Sequence, residues 1–146
     1  MLEIVTDTRE QLPFFFDSLD DVVVVRKTLP TGDYSLLGHE NDVTVERKSL
    51  ADLVACLSRE RPRFMRELER MRTYRSAVVV VEEPQQHLQQ GLYHSEMTPK
   101  SAWQSVVSIM QEYRLPFAFC DGRDAAERFV YDFLRHYQRH QAKESS

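Results

Sequence analysis

The stretch from Gly32 to Asp52 constrains this chain more tightly than any other, because two strands, a loop and a capped helix follow one another in it. Residues 34–37 and 43–47 read as short strands, and Gly38-His39-Glu40-Asn41-Asp42 between them reads as a hairpin loop. Side-chain alternation sets the register. Pairing Leu36 with Val43 brings Tyr34 opposite Val45 and makes one face of the hairpin apolar. A slip of one residue would break that stripe, which a half-buried sheet resists. Ser49-Leu50-Ala51-Asp52 then carries the signature of a capped helix start, with Leu50, Leu53, Val54 and Leu57 on one side.

That register places Asp33 opposite Glu46, with Thr44 and Lys48 on the same face as Glu46. Directly opposed residues have Cβ atoms roughly 4.5–5.5 Å apart, and two carboxylates that close repel each other unless a cation stands between them. Magnesium and manganese prefer oxygen ligands, and magnesium keeps bound waters that can supply a hydroxide. Lys48 can hold such a water or neutralise charge developing on a phosphate. The plainer alternative has Asp33 capping a turn and Glu46 pairing with a surface lysine. It suits a lone acid better than an Asp, a Glu-x-Lys and a capped helix together. Asp52 is explained by its capping position alone. Arg47 faces away from Glu46 and Lys48 in a regular strand, so alternation assigns it no role.

The rest of the chain supplies strands and helices in turn. Residues 2–5, 22–25, 77–81 and 117–120 are apolar runs, and the four consecutive valines 22–25 are expected to be buried on both faces. Pro13-Phe14-Phe15-Phe16 is expected to form a short helix or turn on the core. Pro62 fits the first turn of a helix carrying Phe64, Met65, Leu68 and Met71, and Thr98-Pro99 opens another carrying Ala102, Val106, Ile109 and Tyr113. Residues 84–97 read as a surface loop, and a last helix carries Ala126, Phe129, Val130, Phe133 and Tyr137. The pattern is α/β, a central mixed sheet with helices on both faces. Residues 1–140 read as one domain and 141–146 as a disordered tail.

Composition adds limits. A 42% apolar and 29% charged chain is a globular one. No run approaches the roughly 20 apolar residues of a membrane span, and the start lacks the marks of a signal peptide, so the cytosol is the expected compartment. Cys56 and Cys120 lie in apolar segments without metal-ligand spacing and read as buried free thiols. The five histidines do not cluster. A net charge of −4 argues against bulk electrostatic DNA binding but not a local patch. Seven arginines lie between positions 59 and 75, among them Arg59, Arg61 and Arg63. Either they meet phosphate, which the guanidinium fork suits, or they form a solvated helix face laced with pairs such as Glu67 with Arg70.

Taken together, Gly32-Asp33, Glu46-Arg47-Lys48, Asp52 and the earlier Asp7-Thr8-Arg9-Glu10 resemble the nuclease domain of the XPF/Hef/Mus family of structure-specific endonucleases. The resemblance runs over nearly the whole chain, through Arg63-Phe64 to the strand ending at Glu82. It implies a restriction-endonuclease-like fold and a magnesium- or manganese-dependent cut in DNA near a junction of double and single strands. Asp33 and Glu46 would bind the metal, with Asp7 contributing directly or through water. Lys48 would act on water or phosphate, while Arg47 and Arg9 would contact phosphate or organise the carboxylates. Glu10 and Asp52 would support the site, and Arg63 would touch the DNA backbone. Relatives usually carry a tandem helix-hairpin-helix module after this domain. Nothing in the sequence encodes one, which implies a compact prokaryotic or viral form (nuclear if eukaryotic) and a homodimer or partner protein that supplies targeting. The alternatives are a non-catalytic DNA-binding scaffold of the same fold and a nuclease of other specificity.

Overall fold

The computed structural model describes residues 1–145. Six strands form one mixed sheet: β1 (Leu2–Thr6), β2 (Val22–Arg26), β3 (Tyr34–Leu36), β4 (Val43–Lys48), β5 (Ser76–Val81) and β6 (Phe117–Phe119), in the order β2-β1-β3-β4-β5-β6. β3 runs antiparallel to both its neighbours, and the other pairs are parallel. The expected register holds, with Tyr34 opposite Val45.

Helices α1 (Leu50–Leu57), α2 (Arg61–Met71), α3 (Gln85–Gln89) and α4 (Pro99–Tyr113) contribute to one apolar core, which also takes Ala77, Val79 and Val81 from β5. Helix α5 (Arg123–Ser145) covers the other face with Ala126, Val130, Leu134 and Tyr137, against Tyr34, Leu36, Val43, Val45, Val78 and Val80. Period-two alternation therefore deals successive residues of β5 to two different cores, while on β4 it turns Val43 and Val45 to α5 and the polar Thr44 and Glu46 the other way. Ser49 caps α1 by accepting the Asp52 backbone N–H at 3.1 Å, Thr98 caps α4 through the Ser101 N–H at 3.1 Å, and Pro62 sits in the first turn of α2. No helix among the described residues is long and apolar enough to cross a membrane.

Four expectations change. The valine run is not buried on both faces: β2 is an edge strand, with Val23 43% and Val24 37% exposed. A continuous β-branched run favours extended backbone, but it does not say where in the sheet that strand lies. Residues 84–97 are not all loop, because α3 forms there around the fully buried Leu88. α5 continues through residues 141–145, and Ser146 lies outside the described residues. Pro13–Phe16 forms no helix; Phe14 and Phe16 are buried from an irregular segment, with Phe15 exposed and Phe16 at φ +59°.

Candidate active site

Gly32 makes the end of the hairpin possible. Its φ is +85°, and a Cβ there would lie 1.9 Å from Thr44 Oγ1, so both backbone conformation and space exclude a side chain. The close approach lets Thr44 Oγ1 donate to the Thr31 carbonyl at 2.8 Å. Asp33 follows at once. Its N–H donates to the Val45 carbonyl at 2.8 Å, and its Oδ2 accepts the Arg47 N–H at 2.8 Å. The carboxylate thus takes a place in the ladder where the next backbone acceptor would be. Burial, followed by the negative charge of Glu46, pushes the Asp33 carboxyl up to about 9. The two acids are close enough for the Glu46 charge to act on Asp33, whose own N–H is drawn to Val45 rather than to Glu46.

Glu46 and Lys48 project towards α1 and α2. Glu46 is 7% exposed and accepts Lys48 Nζ at 3.0 Å. Glu67, from α2, stands 3.8 Å from the same ammonium, which also lies 5.3 Å above the Phe64 ring. Burial alone would lower the Lys48 pKa, but the charges of Glu46 and Glu67 outweigh it and raise it. Burial and then Glu46 push the Glu67 carboxyl up to about 7. These groups line a cavity of about 250 Å³ together with Asp52, Arg63 and Phe64. Cys56 also lines it and is half-buried, whereas Cys120 is buried; both are free thiols.

Arg47 points to the opposite face and is almost fully engaged. Nε donates to Glu82 at 2.6 Å, Nη1 donates to Glu10 at 3.0 Å and to the Leu12 carbonyl at 2.6 Å, and the guanidinium lies 3.9 Å from the Phe14 ring centre. The Tyr34 hydroxyl joins this bracket, donating to Glu10 at 2.8 Å and accepting the Phe14 N–H at 2.9 Å. Arg123, at the start of α5, also donates to the Leu12 carbonyl at 3.0 Å and covers Phe14 at 5.0 Å. Arg47 is thus held by Glu10, Glu82 and the Leu12 carbonyl on the face away from Lys48.

Asp7 is 2% exposed, and nitrogen donors surround both its oxygens. Oδ1 accepts Leu29 N–H at 2.8 Å and Arg9 Nη2 at 3.2 Å, while Oδ2 accepts Arg9 Nε at 2.8 Å and Arg9 N–H at 3.2 Å. Burial works to raise its pKa, but these bonds outweigh burial and hold the carboxyl below the usual range. Its backbone ties the site together, because the Asp7 N–H donates to the Asp33 carbonyl at 2.9 Å. Among the described residues no group of three or more His, Cys, Asp or Glu is arranged to hold a metal ion. Arg9 keeps a side chain 68% exposed. A second groove, of about 380 Å³, is bordered by Arg9, Glu10, Arg47, Asp52 and Glu82, so Asp52 stands between the two hollows.

The three arginines expected to meet phosphate separate. Arg59 is exposed and Arg63 is 81% exposed, 3.5 Å from Glu60. Arg61 instead joins α1 to α4, donating to the Leu57 carbonyl at 3.0 Å and to Ser105 Oγ at 3.2 Å. Sequence reasoning missed Glu67, Glu82 and Arg123 as parts of the site. Glu67 follows Phe64 by three positions, so it shares the inward side of α2, a signal hidden by the surrounding charges. Glu82 and Arg123 had no local signal.

The six-stranded mixed sheet flanked by helices is the fold of the XPF nucleases. The ERCC4 domain matches residues 6–133, and the chain belongs to that family. XPF from Aeropyrum pernix superposes with a TM-score of 0.75 at 20% identity, covering 98% of this chain and 68% of that one. The same protein in complex with DNA gives 0.72 at 20% identity, covering 95% and 66%. No curated protein matches by sequence.

Proposed function

We propose that the chain is a metal-dependent endonuclease that hydrolyses phosphodiester bonds in DNA, at branched, flapped or junction substrates. Membership of the ERCC4 family supports the reaction class, and the likeness to a protein solved with DNA favours the substrate. The observation that carries the reading is the approach of Asp33 to the charge of Glu46 at the end of the β3–β4 hairpin, with Lys48 bonded to Glu46. The donor set fits a hard divalent cation. Glu46 is buried and Asp33 partly so, and burial followed by the charge of Glu46 holds the Asp33 carboxyl far above its ordinary value.

Asp33 and Glu46 would hold the magnesium or manganese ion, which when bound supplies a water of lowered pKa and neutralises phosphate charge. Asp7 supports the site rather than completing its ligands, because both its oxygens already accept N–H groups. Lys48, held between Glu46 and Glu67, places a positive charge where a phosphate oxygen gains negative charge. Arg47 fixes the strand end through Glu10 and Glu82, which keeps Asp33 and Glu46 in register. Arg9, Arg59 and Arg63 offer exposed guanidinium groups for the DNA backbone.

The test is incubation of the protein with labelled flap, fork and duplex DNA plus magnesium or manganese. Cleavage lost in Asp33→Asn and Lys48→Ala supports the reading. No cleavage of any substrate, or cleavage that survives both changes, overturns it. The occupied Asp7 carboxylate favours one second reading, a DNA-binding scaffold of the same fold. Such a scaffold would bind DNA with no dependence on Glu46 and show no calorimetric metal binding sensitive to Glu46→Gln.

A further inference from the structure

Lys48 has two carboxylates close by and bonds to only one. Its Nζ donates to Glu46 Oε2 at 3.0 Å and stands 3.8 Å from Glu67 Oε1. That second oxygen is buried and accepts no hydrogen bond. A desolvated carboxylate oxygen without a donor is costly to a fold, so its place beside an ammonium needs a physical reason. Water screens the trio poorly, because the side chains of Lys48, Glu46 and Glu67 are 11%, 10% and 21% exposed.

Helix α2 offers the ammonium a seat of its own. Phe64 and Glu67 are three positions apart and share one side of that helix. The Phe64 ring lies 5.3 Å from Nζ, within the range of a cation–π contact, and the Glu67 carboxylate stands beside it. Lys48 ends on a flexible four-carbon stem. It can therefore pass from Glu46 to Glu67 by rotating its last bonds, while β4 and α2 stay where they are.

Glu46 cannot serve the lysine and a divalent cation equally well. A carboxylate that ligates a cation has less negative charge left for an ammonium, and the two positive charges repel each other at such short range. Among the described residues no third acid is arranged with Asp33 and Glu46 to hold an ion. Glu67 is thus left over from ligation, with an empty oxygen turned to the lysine that would have to give way.

We propose that Glu67 is a positioning residue that takes over the Lys48 ammonium when Glu46 turns to the divalent ion, and holds it against Phe64 at the cavity. The inference rests on the nuclease reading, in which Asp33 and Glu46 bind that ion. Glu67 frees Glu46 of an internal competitor and so strengthens ion binding. It also keeps the released ammonium facing the cavity, where it meets the phosphate.

The experiment is a double-mutant cycle of Glu67→Gln and Lys48→Ala. It is read by calorimetric manganese binding without DNA and by single-turnover cleavage at saturating manganese. Alone, Glu67→Gln leaves the ammonium to Glu46 and should weaken manganese binding by about tenfold or more. In the Lys48→Ala background no ammonium competes, and the same substitution should cost only the small share due to one lost charge. Cleavage should show the same coupling, each substitution lowering the rate and the second adding little to the first. Glu67→Gln should not lower the thermal midpoint, since it removes an oxygen that lacks a donor. Equal losses of manganese affinity in the two backgrounds would make Glu67 a ligand or a remote charge. They would overturn the inference and leave the nuclease reading intact, as would rate losses that simply multiply. Manganese binding absent from wild type, or untouched by Glu46→Gln, overturns that reading and the inference with it.

Discussion

At the scale of single residues, neighbours on one strand do different jobs. Arg47 is spent on Glu10, Glu82 and Leu12, whereas Lys48 faces a hollow. Arg47→Ala should therefore cost about 3–5 kcal/mol, by stranding the partly buried carboxylates it pairs, and lose activity with stability. Lys48→Ala should lose about 10²–10³-fold in cleavage rate with a far smaller change in thermal midpoint. Thermal melts and single-turnover cleavage on both variants check the division; equal stability losses would refute it. Asp33 gives a pH prediction. Its folded value near 9 lies above the unfolded value of about 4, so the folded state holds an extra proton between them. Stability must then fall as pH rises through that window. Without divalent ions, the melting point of wild type should drop towards alkaline pH more steeply than that of Asp33→Asn. Parallel curves would mean that Asp33 is not held protonated.

At the scale of elements, the hairpin was legible and its surroundings were not. Tyr34 opposite Val45 could be read because one register gives an apolar stripe, and Ser49 could be read as a cap because its partner is three residues away. β2 could not be placed, since four valines fit an edge as well as a centre. Glu67 was hidden among arginines, its approach to Lys48 being long-range in sequence. Asp7 reads as a metal contributor from its motif alone because the Leu29 N–H that helps fill its oxygens is distant in sequence, although Arg9 stands only two residues on. Gly32→Ala tests the hairpin itself. A methyl group 1.9 Å from Thr44 Oγ1 at φ +85° should cost about 1–3 kcal/mol or more and displace Asp33, seen as reduced cleavage with a lowered melting point. Unchanged stability would show that the turn can rearrange.

At the scale of the molecule, a net charge of −4 makes any grip on DNA local. Replacing Arg59 and Arg63 by alanine should weaken binding on all sequences and lower the salt slope by about 0.9 for each phosphate no longer neutralised. Arg61→Ala should act mainly on stability, because its guanidinium joins α1 to α4. Binding isotherms at several salt concentrations separate these outcomes, and an unchanged slope in the double variant would return the segment to a solvated face.

One arrangement has a consequence for how the chain is made. Arg123 and Arg47 clasp the same phenyl ring and the same carbonyl, yet they are read from messenger RNA far apart. The helix that covers Phe14, Tyr34 and Val45 is the last of the described elements to be made. The Asp33 end of the hairpin thus receives its support from Arg123 only after all six strands have been synthesised.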